Sequence, residues 1–192
     1  MCGGRGTRLG SETEKPLVRV GGRPMVDRVC TALTESHVDR VHCAVSPHTP
    51  ETRAHLAGSP NVSVIETPGD GYVADLGDAL ERVGTPVVTT ASDLPLLTAA
   101  TVDDTLAGRG EPLASLTVCV PVDLKRRLGV SVDTATEHAG RRVAPTGLNV
   151  VGDGDGELVV VDDERLAVNV NRPRDLQIAE FLRHRERGAH RR

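Results

Sequence analysis

The residues best suited to chemistry stand at the front of the chain. Gly3, Gly4 and Gly6 are interleaved with Arg5, Thr7 and Arg8, and Lys15-Pro16 follows after a short spacer. Glycines have no Cβ, so their backbone N–H groups can approach a phosphate chain closely. Arg5, Arg8 and Lys15 would then bring charge to the same oxygens. Two familiar phosphate loops are excluded by counting. No Gly-x4-Gly-Lys-Ser/Thr starts at Gly3, Gly4 or Gly6, and Leu9 stands where a dinucleotide fingerprint needs its third glycine. Lys15 draws attention for a second reason. Lys and Arg together number 23, yet only Lys15 and Lys125 are lysine. Lysine delivers a compact charge on a slim stem where arginine presents a broad fork. Lys15 is therefore weighed evenly between a phosphate contact and a bystander.

Further along, Asp93 stands within TTASDLPLL (89–97), just past the strand-like run 86–92, where it is either a hard-cation ligand or the N-cap of a following helix. Asn169 and Asn171 alternate with valines in VNVNRPRDL (168–176), so both side chains fall on one face. They are candidates for a metal ligand or for hydrogen bonds to neighbouring loops. The loop PGDGY (68–72) offers Asp70, Gly71 and Tyr72 to a bound base. Cys2 beside the glycine loop reads as a small packing residue rather than a nucleophile. GDGDGE (152–157) reads as a turn, because its spacing is not that of an EF-hand.

These candidates need elements to hold them. Helical patterns occupy 24–36, 50–58, 72–84, 98–107 and 173–186. Strand-like runs occupy 40–46, 61–67, 86–92, 115–121, 148–152, 157–162 and 165–171, while 122–145 reads as polar and irregular. Strands separated by helices predict an α/β fold: three layers, a mostly parallel central sheet and helices on both faces. In such a sheet ligands bind at the carboxyl ends of the strands, where the candidate residues cluster.

At 192 residues the chain reads as a single domain over 1–192, with a basic tail at 187–192 expected to fray. A net charge of -4 gives no bulk attraction to nucleic acid or anionic membrane, so neither is expected as a partner. No apolar run approaches membrane-spanning length. Four cysteines without a CxxC pair read as reduced thiols, which places the protein in the cytoplasm.

GGRGTR followed by Lys15-Pro16, then TTASDLPLL, then VNVNRPRDL, in that order, resembles the single-domain nucleotidyltransferases. SPHTPET (46–52), TPGDGYVADL (67–76) and APTGLNVV (144–151) narrow the likeness to the archaeal GTP:adenosylcobinamide-phosphate guanylyltransferases. The resemblance implies GMP transfer from GTP to a corrinoid phosphate, with release of pyrophosphate. It also implies site roles. Arg8, Lys15 and Asp93 would be catalytic, and Gly3, Gly4, Gly6, Thr7, Asp70, Gly71, Tyr72 and Asn149 would bind the nucleotide. Asp93 and Asn171 (or Asn169) would hold Mg²⁺. Two departures stand out: Gly147 replaces a common acidic residue, and Cys2 replaces the usual alanine. In the family an apolar first strand runs into the glycine loop; here only Met1 and Cys2 precede it. Either coding sequence upstream of Met1 is expected, the preferred reading, or the chain lacks that strand. Molybdopterin guanylyltransferases share nearly the same motifs, and a nucleotide-binding module without turnover is the alternative from another class. The sequence leaves a homodimer open.

Overall fold

The computed structural model describes residues 1–4, 7–107 and 114–189. After the glycine loop come a single 3-10 turn at Thr7–Leu9 and another at Lys15–Leu17. A small hairpin pairs β1 (Arg19–Val20) with β2 (Arg23–Pro24) across Gly21-Gly22. Both glycines have positive φ, which the tight hairpin turn requires. The chain continues through α1 (Met25–Thr34), β3 (His42–Val45), α2 (Pro50–Ala57), β4 (Ser63–Glu66), α3 (Tyr72–Val83), β5 (Val87–Thr90) and α4 (Ala99–Leu106). Then follow β6 (Ala114–Pro121), α5 (Val122–Leu128), β7 (Thr136–His138), β8 (Arg141–Val151), β9 (Asp153–Val160) and α6 (Pro173–Ala189).

The alternation of strands and helices builds the expected α/β architecture, with one reversed strand in its larger sheet. β3 and β4 pair in parallel. In the order β5-β8-β6-β9, β8 runs antiparallel to both β5 and β6, while β9 runs parallel to β6. β5, β6 and β9 therefore share one direction. Helices cover both faces, as side-chain alternation demands. Cys43 and Val45 pack with Val26 and Leu56, from α1 and α2, whereas Ala44 packs with Ile65 and Ala79, the latter from α3. The main core joins Val29 and Ala32 to Val102, Leu124, Leu116, Val118, Leu148 and Val150. With no Trp and one Phe in the chain, that core is aliphatic throughout.

Met1 and Cys2 connect the two sheets at their carboxyl ends. Met1 donates its N–H to Thr90 O (2.9 Å) and accepts from Ser92 N–H (3.2 Å), which is parallel ladder geometry beside β5. Cys2 N–H donates to Ala44 O (2.7 Å) on β3. The glycine loop thus leaves from between β3 and β5, directly above the ends of both.

Four expectations need correction. The segment 122–145 is not irregular: it holds α5, β7 and the start of β8. A seven-residue helix is too short to show a period, and Gly129 closes it in the left-handed conformation (φ 77). β9 begins at Asp153, so part of the GDGDGE stretch is strand rather than turn. Conversely, 165–171 forms no ladder. Its alternation is nevertheless real. Val168 and Val170 are fully buried, and Val170 N–H is tied to Asp93 O (3.0 Å), so packing rather than sheet pairing sets the period. The last helix also runs through Ala189, past the expected start of the tail.

Candidate active site

The site is assembled from three strand ends and one anchored turn. Lys15 opens the second 3-10 turn and is held there by its neighbour. Glu14 accepts from the backbone N–H groups of Glu51 (2.8 Å) and Thr52 (2.7 Å), capping the start of α2 with a carboxylate from elsewhere in the chain. The carboxylate satisfies two orphan donors of the helix and fixes the turn against it. Pro16 is buried beside it.

From this turn the Lys15 ammonium donates to Asp93 Oδ2 and to Asn171 Oδ1, each at 2.6 Å. Both side chains of the Lys15–Asp93 pair are mostly buried, 16% and 13% exposed. Asn169 Nδ2 donates to Asp93 Oδ1 (3.1 Å) and to Thr146 O (2.7 Å). The residues expected at the two ends of the chain, Lys15 and Asn171, thus meet on the residue expected in its middle. The alternative role for Asp93 is excluded by the helix itself. The N-cap of α4 is Thr98, whose Oγ1 accepts from Thr101 N–H (3.2 Å). Asn171 is set in place by Asp175, a fully buried carboxylate that accepts from the N–H groups of Asn171 (3.0 Å), Arg172 (2.8 Å) and Ser131 (2.7 Å).

Beside this centre lies a cleft of about 520 Å³, floored by Met1 to Gly4 and walled by Lys15, His48, Gly69 to Tyr72, Asp75 and Ala91 to Asp93. Gly3 passes close to Ser46, whose Oγ donates to Gly3 O (2.8 Å); a Cβ on Gly3 would lie 3.0 Å from Ser46 Cβ. The glycine there serves close approach rather than an unusual φ. Asp70 is exposed at the cleft wall, and Tyr72 is half-exposed. Their loop is held by Asp75, which accepts from Gly69 N–H (2.7 Å), and by the His48 ring against Gly69 O (3.3 Å).

Not every expected residue joins the cleft. Gly6 and Arg5 lie outside the described residues. Thr7 is in the first 3-10 turn. Arg8 is turned away from the cleft and paired with Asp133 at 2.9 Å, which also takes Arg172 at 2.7 Å; the Arg8 side chain is 63% exposed. Asn149 lies within β8, between Thr89 of β5 and Thr117 of β6, and does not line the cleft. Cys2 is buried, and contact with Cys43, then burial, pushes its thiol well above its ordinary pKa, so it is packing rather than a nucleophile. All four cysteines are free.

Gly147 proves to be a backbone requirement. Its φ is +86, and a Cβ would meet Ala91 Cβ at 3.1 Å on the cleft wall. No acidic side chain fits this backbone without strain. Gly147→Ala is expected to cost about 1–2 kcal/mol from the left-handed conformation alone, measured as a lowered urea midpoint with unchanged slope.

The deciding likeness lies in the family model for the MobA-like NTP transferase domain, which matches residues 1–153. The chain belongs to this family. It is 31% identical to the adenosylcobinamide-phosphate guanylyltransferase of Methanocaldococcus jannaschii, over 95% of this chain and 94% of that protein. It is 33% identical to the bifunctional protein GlmU of Acidovorax sp., over 87% of this chain but only 38% of that longer protein. Among solved structures, a CMP:2-keto-3-deoxy-manno-octonic acid synthetase complexed with CTP superposes with TM-score 0.67 over 93% of this chain and 96% of the synthetase, at 16% identity. A putative glucose-1-phosphate thymidylyltransferase from Bacillus anthracis superposes equally well, with TM-score 0.67, 17% identity and 94% and 92% of the two chains covered. At such identities the structural likeness speaks for the fold. The enzyme class, nucleotidyl transfer, comes from the family. No helix among the described residues is long and apolar enough to cross a membrane.

Proposed function

We propose that this nucleotidyltransferase moves GMP from GTP onto adenosylcobinamide phosphate, giving adenosylcobinamide-GDP and pyrophosphate. The observation that carries the reading is the meeting of Asp93 Oδ2 and Asn171 Oδ1 on one cation, the Lys15 ammonium, beside the glycine-floored cleft. The end-to-end likeness to the M. jannaschii guanylyltransferase supports the choice of substrates.

The acceptor's phosphate oxygen attacks the α-phosphorus of GTP. A new P–O–P bridge forms, the bond from the α-phosphorus to the bridging oxygen breaks, and pyrophosphate leaves with that electron pair. The attacking oxygen is ionised at neutral pH, so no protein nucleophile or general base is needed. The task is to position two anions and neutralise them. The amides of Gly3 and Gly4 would hold the triphosphate, and Lys15 would follow the charge that develops on the leaving pyrophosphate. Arg8 joins them by exchanging Asp133 for phosphate.

Mg²⁺ fits the residues present. The Lys15 ammonium already stands as a cation between a carboxylate and an amide oxygen, the hard donors Mg²⁺ takes beside substrate phosphates. Among the described residues no cluster of three His, Cys, Asp or Glu side chains could hold a metal alone, which suits an ion shared with substrate. Asp93 and Asn171 would hold it, and it would supply charge neutralisation at the phosphate oxygens.

Base selection would fall to the 68–72 loop, fixed by Asp75 and His48 in the wall of the same cleft as Lys15. GTP with Mg²⁺ is expected to raise Tm clearly more than ATP, CTP or UTP, because a site built to pair with guanine leaves polar groups unpaired with other bases. Asp70→Ala relaxes this preference if its carboxylate does the reading and leaves it intact if the backbone does. Equal shifts for all four nucleotides would remove guanine from the account. The acceptor is tested by pyrophosphate release from GTP with adenosylcobinamide phosphate and with molybdopterin in separate reactions. Release with molybdopterin alone would replace the acceptor, and binding without release would leave only a nucleotide-binding module.

A further inference from the structure

The second of the chain's two lysines has no part in the chemistry above, yet it reaches the same network from behind. Lys125 lies on α5 and is 3% exposed, while its neighbours Arg126 and Arg127 are exposed. Its ammonium donates to Ala167 O (2.8 Å) and to Asn169 Oδ1 (3.1 Å). Burial pushes its pKa below the ordinary lysine value, against the raising effect of Asp93, Asp175 and Asp133. Lysine rather than arginine suits the place, since a slim stem with a compact head reaches where a planar fork is too wide.

The polarity of the hydrogen bonds gives Lys125 a consequence beyond packing. An ammonium can only donate, and an ionised carboxylate can only accept; an asparagine amide has one end of each kind. With Lys125 on one side, Asn169 must turn Oδ1 toward it, which aims Nδ2 at Asp93 Oδ1 and Thr146 O. The flipped amide would set oxygen against the Asp93 carboxylate and NH₂ against the ammonium. Asp93 Oδ1 is thereby occupied, and Oδ2 is left to face Lys15.

We propose that Lys125 is a positioning residue for the cation site: by fixing the donor direction of Asn169 it holds Asp93 with Oδ2 presented to the metal. The proposal rests on the reading of Asp93 as a metal ligand. Lys125 touches no substrate; it acts two hydrogen bonds away. The simpler role is a tie between α5 and the 163–169 segment through Ala167 O. A tie predicts lost stability with unchanged metal affinity, and the relay predicts weakened metal binding through Asn169.

The test is Mn²⁺ affinity, read by the EPR signal of free Mn²⁺ in the presence of a non-hydrolysable GTP analogue. It compares the wild type with Lys125→Met, Asn169→Ala, the double variant and Asp93→Asn. Partners behind metal ligands commonly contribute tenfold or more, so Lys125→Met and Asn169→Ala are each expected to weaken Mn²⁺ about tenfold. The double variant is expected to bind no worse than either single one, since both act on one chain of contacts. Lys125→Met with lowered Tm and wild-type Mn²⁺ affinity would overturn the proposal, as would single losses that multiply in the double variant. Should Lys125→Met fail to fold, Asn169→Ala decides: wild-type affinity there means nothing reaches Asp93 through the amide. Asp93→Asn separates the two layers of the account. If it binds Mn²⁺ as tightly as the wild type, the metal-site reading itself fails; if it loses Mn²⁺ while Lys125→Met does not, only the relay fails.

Discussion

Lys15→Ala is expected to lower kcat by roughly 30- to 1,000-fold while the protein stays folded. The range converts about 2–4 kcal/mol of lost transition-state stabilisation, the magnitude found for removing one preorganised donor at a developing anion. The structure sharpens the expectation, because Lys15 places a single charge within 2.6 Å of both Asp93 and Asn171. Removing it leaves Asp93 still engaged by Asn169, so the carboxylate is not orphaned and stability changes little. Lys15→Arg is expected to recover little of the lost rate, since a broad planar fork does not deliver one compact charge to the leaving pyrophosphate from this turn. Wild-type kcat and KM in Lys15→Ala, measured by pyrophosphate release, would show that the loop has another purpose.

Asp93→Asn has the largest expected effect: activity at or below about one-thousandth of wild type, with the residual rate requiring far more Mg²⁺. A neutral amide is a poor ligand for a hard cation. It would also turn a donor toward either the Lys15 ammonium or Asn169 Nδ2, both of which donate already. No loss of helix capping contributes, because Thr98 caps α4. A Mg²⁺ titration of initial rate separates the outcomes. Retained activity with an unchanged Mg²⁺ midpoint would show that Asp93 has only a structural part.

The parts of the site visible in the sequence were those written in adjacent residues. The glycine loop with Lys15-Pro16, the aspartate following β5 and the paired asparagines before α6 each carry their chemistry in local spacing, and the fold brings Lys15, Asp93 and Asn171 together. The supporting groups were invisible because no local motif marks their partners. Glu14 caps a helix 37 residues away, and Asp75 holds a loop that begins before its own helix. Lys125 is followed by Arg126 and Arg127, and nothing local marks it as buried. The two lysines in an arginine-rich chain were the one signal that could have linked it to Lys15. Arg8 and Asn149 show what local spacing does not reveal: in this structure Arg8 pairs with Asp133, and Asn149 sits within the sheet. Secondary structure failed where elements were short or made of mixed residues. β8 was obscured at its start by Arg141-Arg142, Pro145 and Gly147, and α5 by its length. Residues 165–171 alternate like a strand because Val168 and Val170 are buried, and no neighbour completes a ladder.

The central claim is that the α-phosphate of GTP becomes bonded to the acceptor's phosphate. It is tested most directly by following radiolabel from GTP into the corrinoid. Parallel reactions of the protein with adenosylcobinamide phosphate and Mg²⁺ would use GTP labelled at either the α- or the γ-phosphate. The account predicts that α-label appears in the corrinoid product and γ-label only in pyrophosphate, with neither transferred by the Asp93→Asn variant. Label from the γ-phosphate in the corrinoid, or no label there from either substrate, would contradict it.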